Sequence, residues 1–332
     1  MDFTIKYYIQ GGMTDAVMSS FLKDLHFTYS TGGVDIPQSL HDMKSQLKMV
    51  PQLKPYRIEG CPHTPLFRLK DILSNVMTDT ELVSQMEFGT PQVDTMSEVW
   101  HSPSWKNIID EMKRSRPGTL PIIIMLFYDD FRKFKMAAGS CGGLYMAILN
   151  LPREVNSKPR NIFCLGLINS EQEYNEVMSN IVTQLRELWL PHYSKIGDKG
   201  EALVSVRLAM FLADTPQRNE TCGIKNHNAI CFCHQCMMKK SMGIDPSTTA
   251  EIRNVPEMRR YSDLHHQATT QTEKNDIERK YGLKPCEAGR ENPFYSLFDL
   301  YGFDIFQDSP VDLFHVTIIG LLPTTISLMN SK

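Results

Sequence analysis

Three apolar, β-favouring runs lie close together at residues 120–128, 144–149 and 162–168, and no other feature restricts the fold of this chain so strongly. Each is short enough for a strand, and Gly- or Pro-bearing turns are expected between them at 139–143 and 152–159. The Gly142-Gly143 pair reads as part of the first of these turns. Strands that follow one another at such short range are expected to form an antiparallel meander. An amphipathic stretch comes next, in which Tyr174, Val177, Met178, Ile181, Val182, Leu185, Leu188 and Trp189 recur at helical steps and draw one apolar stripe. Ser170 and Glu173 fit a capping box at its start, and Pro191 stands at its end. A fourth buried-strand candidate, 202–213, runs straight into Asp214-Thr215-Pro216. The expected order is therefore strand, strand, strand, helix, strand, an α/β arrangement.

The flanking regions are less regular. Residues 1–104 mix short helical patterns with breaks at Ile36-Pro37, Val50-Pro51 and Lys54-Pro55, and Cys61-Pro62-His63 reads as structural because no second ligand pair lies near it. Past Cys236 the chain turns polar, with Met258-Arg259-Arg260, His265-His266 and a helix-like stretch at 270–281, and reads as an insertion. It becomes apolar again around 312–321, a helix that Pro323 would kink or end. The apolar stretches 120–128 and 316–329 are too short to span a bilayer, so a soluble, intracellular protein without a membrane partner is expected. A net charge of -3 argues against a protein that coats nucleic acid indiscriminately, and any DNA contact should be local. Lys113-Arg114-Ser115-Arg116 and Arg132-Lys133-Phe134-Lys135 are compact basic clusters, each equally readable as a solvated surface run. An unrelated α/β enzyme finds no support, since the chain has no P-loop, Gly-rich dinucleotide turn or nucleophile elbow.

Two groups of residues could carry chemistry. Tyr128-Asp129-Asp130-Phe131 closes the first apolar run, and Asp214 closes the last. A single acid at a strand end is most simply a turn or cap residue. Two of them brought together would repel, and a divalent cation between them relieves that repulsion. Adjacent residues of a strand face opposite sides, so only one of Asp129 and Asp130 can join Asp214. The second group is a cysteine cluster: of eight cysteines, Cys222, Cys231, Cys233 and Cys236 fall close together. Cys233-His234-Gln235-Cys236 is half of a tetrahedral zinc site, with Cys222, His227, Cys231, His265, His266 and His315 as candidates for the other half. Buried, unliganded cysteines are the simpler alternative.

Taken in order, the motifs resemble those of CACTA (En/Spm-like) DNA transposases over roughly residues 105–322. The resemblance is carried by Tyr128-Asp129-Asp130-Phe131-Arg132-Lys133-Phe134, Gly143-Leu144-Tyr145, Asn150-Leu151-Pro152-Arg153, Leu185-Arg186-Glu187-Leu188-Trp189, Asp214-Thr215-Pro216, Cys222-Gly223, Cys233-His234-Gln235-Cys236 and Asp312-Leu313-Phe314-His315. It implies a DDE-type catalytic domain with an RNase H-like mixed sheet at 105–220, after an N-terminal, helical region at 1–104. A mostly helical zinc-binding insertion would follow at 221–310, and the start of a C-terminal helical part at 311–332. Asp129 and Asp214 match the first two catalytic acids, which would bind Mg²⁺ (or Mn²⁺) for two-metal phosphodiester cleavage and strand transfer. Cys233, Cys236 and His315, with His265 or His266, match the zinc ligands. Arg132, Lys133 and Lys135 would contact DNA, both transposon ends and target, in a nuclear protein that assembles with itself or with a full-length transposase. The third acid, a Glu on a later helix, has no counterpart, since 316–332 holds neither Asp nor Glu. Weak or absent cleavage by this chain alone is therefore expected. A zinc-stabilised DNA- or protein-binding remnant without catalysis is the alternative.

Overall fold

The computed structural model describes residues 53–91, 96–132, 140–168, 171–225, 229–239, 241, 250–286 and 290–311. Its centre is a five-stranded mixed sheet in the order β3-β2-β1-β5-β4, built from β1 (Leu120–Arg132), β2 (Ser140–Ile148), β3 (Phe163–Ile168), β4 (His192–Lys195) and β5 (Glu201–Ala213). β1, β2 and β3 form the antiparallel meander expected from their spacing. β5 then returns parallel to β1, which places β1 at the centre of the sheet. The short strand β4, which the sequence pattern did not announce, forms a hairpin with β5 and takes one edge.

Upstream of the sheet, the described residues form α1 (Leu69–Thr78), α2 (Thr80–Ser84) and α3 (Pro103–Ser115). α4 (Arg153–Asn156) lies between β2 and β3, and α5 (Glu171–Trp189) links β3 to β4. After β5 come α6 (Thr215–Thr221), α7 (Val255–Gln267), α8 (Gln271–Tyr281) and α9 (Tyr295–Tyr301). The fold is mixed α/β, with helices on both faces of the sheet.

Alternation along β1 assigns the faces. Ile122, Ile124, Leu126 and Tyr128 point to α5, whose buried stripe contains Tyr174, Val177, Ile181, Leu185 and Leu188. The Tyr128 and Tyr174 rings meet edge to face at 5.1 Å. On the other face Ile123 is buried, Met125 and Phe127 are half-buried and Asp129 is exposed. That gradient has a cause: α3 lies against β1 with Trp105, Ile109 and Met112 buried, and the far end of the strand runs past this cover. An open apolar recess results, floored by the sheet.

The segment after the Cys-rich stretch packs into the same core. Phe294 meets Phe211 of β5 at 5.5 Å, and Tyr301 meets Trp189 of α5 at 4.9 Å. Ser170, proposed with Glu173 as a helix cap, lies outside the described residues. The Glu173 carboxylate accepts hydrogen bonds from the Thr64 hydroxyl and the His63 backbone, tying the N-terminal segment to α5.

Candidate functional site

Asp129 and Asp214 come together. The parallel pairing of β1 and β5 places Tyr128 opposite Ala213, the last residue of β5, and each is followed in sequence by one of the two acids. Both line one cavity of about 560 Å³ on the face away from α5. Asp214 also caps α6, accepting from the Gln217 backbone N–H at 3.0 Å, and one of its oxygens is thereby oriented. Asp130 points the other way, as alternation requires. It accepts from the Tyr128 hydroxyl at 2.8 Å and from the Gln217 side-chain amide. Burial, and then the Asp130 carboxylate, hold the Tyr128 phenol above its usual range, so Tyr128 remains the donor in that bond.

The strands differ from expectation in a way that shapes the site. β1 continues beyond Tyr128 to Arg132, so Asp129 and Asp130 lie within the strand and not at its end. Gly142 and Gly143 are in β2, opposite Asp130 and Asp129, and are not a turn. Each glycine makes way for an aromatic ring. A Cβ on Gly142 would stand 1.7 Å from the Tyr128 hydroxyl oxygen, and one on Gly143 would stand 2.3 Å from that of Tyr145. Tyr145 in turn stacks on Phe127 at 5.1 Å.

Below the acids the wall is apolar, with Met125, Phe127, Leu149 and Leu212 among its residues. Its polar rim comes from Glu98 and from α4. The Glu98 carboxylate accepts from the Arg153 backbone N–H at 2.8 Å and also caps the short 3-10 turn Val99–His101, so this third carboxylate of the cavity is already committed. Asn150, buried, carries the turn into α4. Its oxygen accepts from Ile123 N–H at 2.7 Å, and its amide donates to the Pro121 and Glu87 carbonyls at 3.0 and 2.7 Å. Asn150 of the Asn-Leu-Pro-Arg motif thus positions Arg153 at the rim.

The cysteine pair also forms. The Cys233 and Cys236 thiols are hydrogen-bonded neighbours, and burial lifts the Cys236 thiol above its usual range. The guanidinium of fully buried Arg253 fastens the loop by donating to the Cys233, Cys236 and Cys231 carbonyls at 2.8, 3.3 and 3.2 Å and to Tyr281 O at 2.7 Å. Nothing in the sequence pattern singled out Arg253, because a lone arginine in a polar stretch looks like a surface residue. Cys222 and Cys231 point their thiols at backbone carbonyls of Ile305 and Lys280, at 3.6 and 3.4 Å. His234 is buried with Nε2 at 2.8 Å from Ser309 O, and His265 faces Glu278 at 3.0 Å. His266 is exposed on α7.

Among the described residues no group of three or more His, Cys, Asp or Glu is placed to hold a metal ion, so neither His265 nor His266 joins the cysteine pair. His227, Asp312, His315, Lys133 and Lys135 lie outside the described residues, and only the backbone of Arg132 is described, opposite Ser140. In the other basic cluster, Arg116 stacks on Trp189 at 4.8 Å, while Lys113 and Arg114 are exposed. Among the described residues no helix is long and apolar enough to cross a membrane. No family model matches the chain, and no curated protein matches it.

Proposed function

We propose that the chain is the catalytic region of a CACTA-type DNA transposase and that its RNase H-like sheet carries two of the acids of a DDE phosphoryl-transfer site. The observation that supports this most is the convergence of Asp129 and Asp214, from neighbouring parallel strands, on one cavity. Hard oxygen donors side by side, with one oxygen of Asp214 already oriented by Gln217 N–H, suit a divalent ion such as Mg²⁺ or Mn²⁺ that retains waters elsewhere in its shell. When bound, such an ion would supply Lewis-acid stabilisation of a phosphodiester oxygen. The chain's own part is to hold the two carboxylates at fixed spacing and to keep Asp130 turned away, engaged with Tyr128 and Gln217.

The test is nicking of supercoiled plasmid in Mg²⁺ or Mn²⁺. The full chain should nick slowly, because two acids hold metal less well than three, and Asp129→Ala or Asp214→Ala should each reduce the rate by about 100-fold or more. Nicking that survives both substitutions would refute the assignment.

A second reading, a zinc-stabilised module that binds DNA or a full-length transposase without cleaving, draws on the meeting of Cys233 and Cys236 under the Arg253 clamp. About one zinc per chain, lost in Cys233→Ser, together with no nicking at any divalent ion, would favour it.

A further inference from the structure

We propose that the cavity beside Asp129 and Asp214 is a nucleotide subsite, which takes one unstacked base against its apolar wall and the adjoining phosphate on Arg153. The inference rests on the reading of these acids as a phosphoryl-transfer site and names what lies next to them. Two features of the recess support it.

Its size and lining come first. A recess of about 560 Å³ walled by Met125, Phe127, Leu149 and Leu212 is roomy enough for a nucleobase, whose faces are apolar and gain by leaving water. A second feature is charge. Among the described residues Arg153 is the one cation lining the cavity, against the carboxylates of Glu98, Asp129 and Asp214. Its guanidinium is exposed, and its backbone is fixed by Glu98, so the cation is carried on a positioned turn rather than a loose loop. A polyanion approaching two acids is repelled unless a cation receives it, and Arg153 is placed to do so.

Together these features order the ligand. The base enters the recess against Phe127 and Leu149, its phosphate meets Arg153 at the rim, and the next phosphodiester lies toward Asp129 and Asp214. Duplex DNA presents no free base edge with this freedom, so the subsite selects single-stranded or locally opened DNA.

The test uses the full chain and a fluorescein-labelled, mixed-sequence single-stranded DNA dodecamer, with an abasic dodecamer of the same length as control, both in Ca²⁺. Ser157→Trp is chosen to plug the recess from an exposed rim position. It should weaken binding of the natural strand by about tenfold and leave the abasic strand unchanged. Arg153→Ala should weaken both strands and lower the slope of log affinity against log salt by about one phosphate contact, and Arg153→Lys should restore that slope. Equal effects of Ser157→Trp on the two strands, or an unaltered slope in Arg153→Ala, would overturn the inference while leaving the catalytic reading in place. If instead these variants behave as expected but Asp129→Ala binds Ca²⁺ and DNA like the unsubstituted chain, the subsite stands and the acid assignment fails. No measurable binding of either strand by the unsubstituted chain sinks both.

Discussion

His234 and Asp308 show how burial of single groups sets the pH response, and they act in opposite senses. Burial, aided by the nearby Arg218 charge, pushes the His234 imidazole down to about 4, so its neutral form donates to Ser309 O in the fold. A base depressed in this way contributes stability that is fully present above its unfolded value of about 6.5 and is lost as pH falls through about 4. Burial pushes the Asp308 carboxyl up to about 6, although the Asp304 N–H at 2.8 Å favours its ionised form. Its contribution is fully present below the ordinary aspartate range and is lost as pH rises through about 6. Asp308→Asn keeps an acceptor for Asp304 N–H and should therefore stabilise the chain at pH 7 by roughly 1–3 kcal/mol, with no gain at pH 4. Urea unfolding at the two pH values measures this, and a gain of equal size at both would show that ionisation is not the cause. His234→Gln should flatten the loss of stability between pH 7 and 4 while keeping a donor for Ser309.

At the scale of elements, the pattern was readable because the central strands are short continuous apolar runs, buried on both faces in β1 and β5, and α5 carries one apolar stripe. β1 began and β5 ended where their hydrophobicity did. The misreadings fell where local chemistry and tertiary pairing disagree. Consecutive aspartates and glycines look like strand ends because neither type favours a sheet, yet β1 runs on through Asp129 and Asp130 because β2 pairs with it through Gly142 and Gly143. Close approach of rings requires both glycines: Tyr128 of β1 crowds Gly142, a demand invisible to local pattern, and Tyr145, two residues along β2, crowds Gly143. Gly142→Ala should cost about 1–3 kcal/mol by displacing the Tyr128 ring. Tyr128→Leu in the same chain should recover part of that loss, and a strictly additive double mutant would mean the ring is not what the new methyl meets. β4 was missed for a different reason: four residues with alternate exposure carry too little hydrophobic signal to be seen.

For the whole molecule, the order of elements was legible, whereas the parallel pairing of β5 with β1 that sets Asp129 and Asp214 on one cavity, and the cavity itself, were not. The rim depends on Glu98 and Arg153, two charged residues whose pairing through a backbone N–H has no sequence signature. The Arg253 clamp was hidden for the same reason. One core joins the sheet to the segment after the cysteines, so Phe294→Ala, which removes a ring packed on Phe211, should cost about 3–5 kcal/mol and lower a single unfolding transition. Two resolved transitions in thermal unfolding would mean that the parts melt separately. The order in which the sheet is made has a further outcome in the cell. β1 leaves the ribosome with Asp129, and Asp214, just past the end of β5, arrives only after β2, β3, α5, β4 and β5 have been synthesised. On the proposed reading of these acids, nascent chains and products of early termination carry half of the cradle, and affinity for a divalent ion should emerge in one step once Asp214 has left the ribosome.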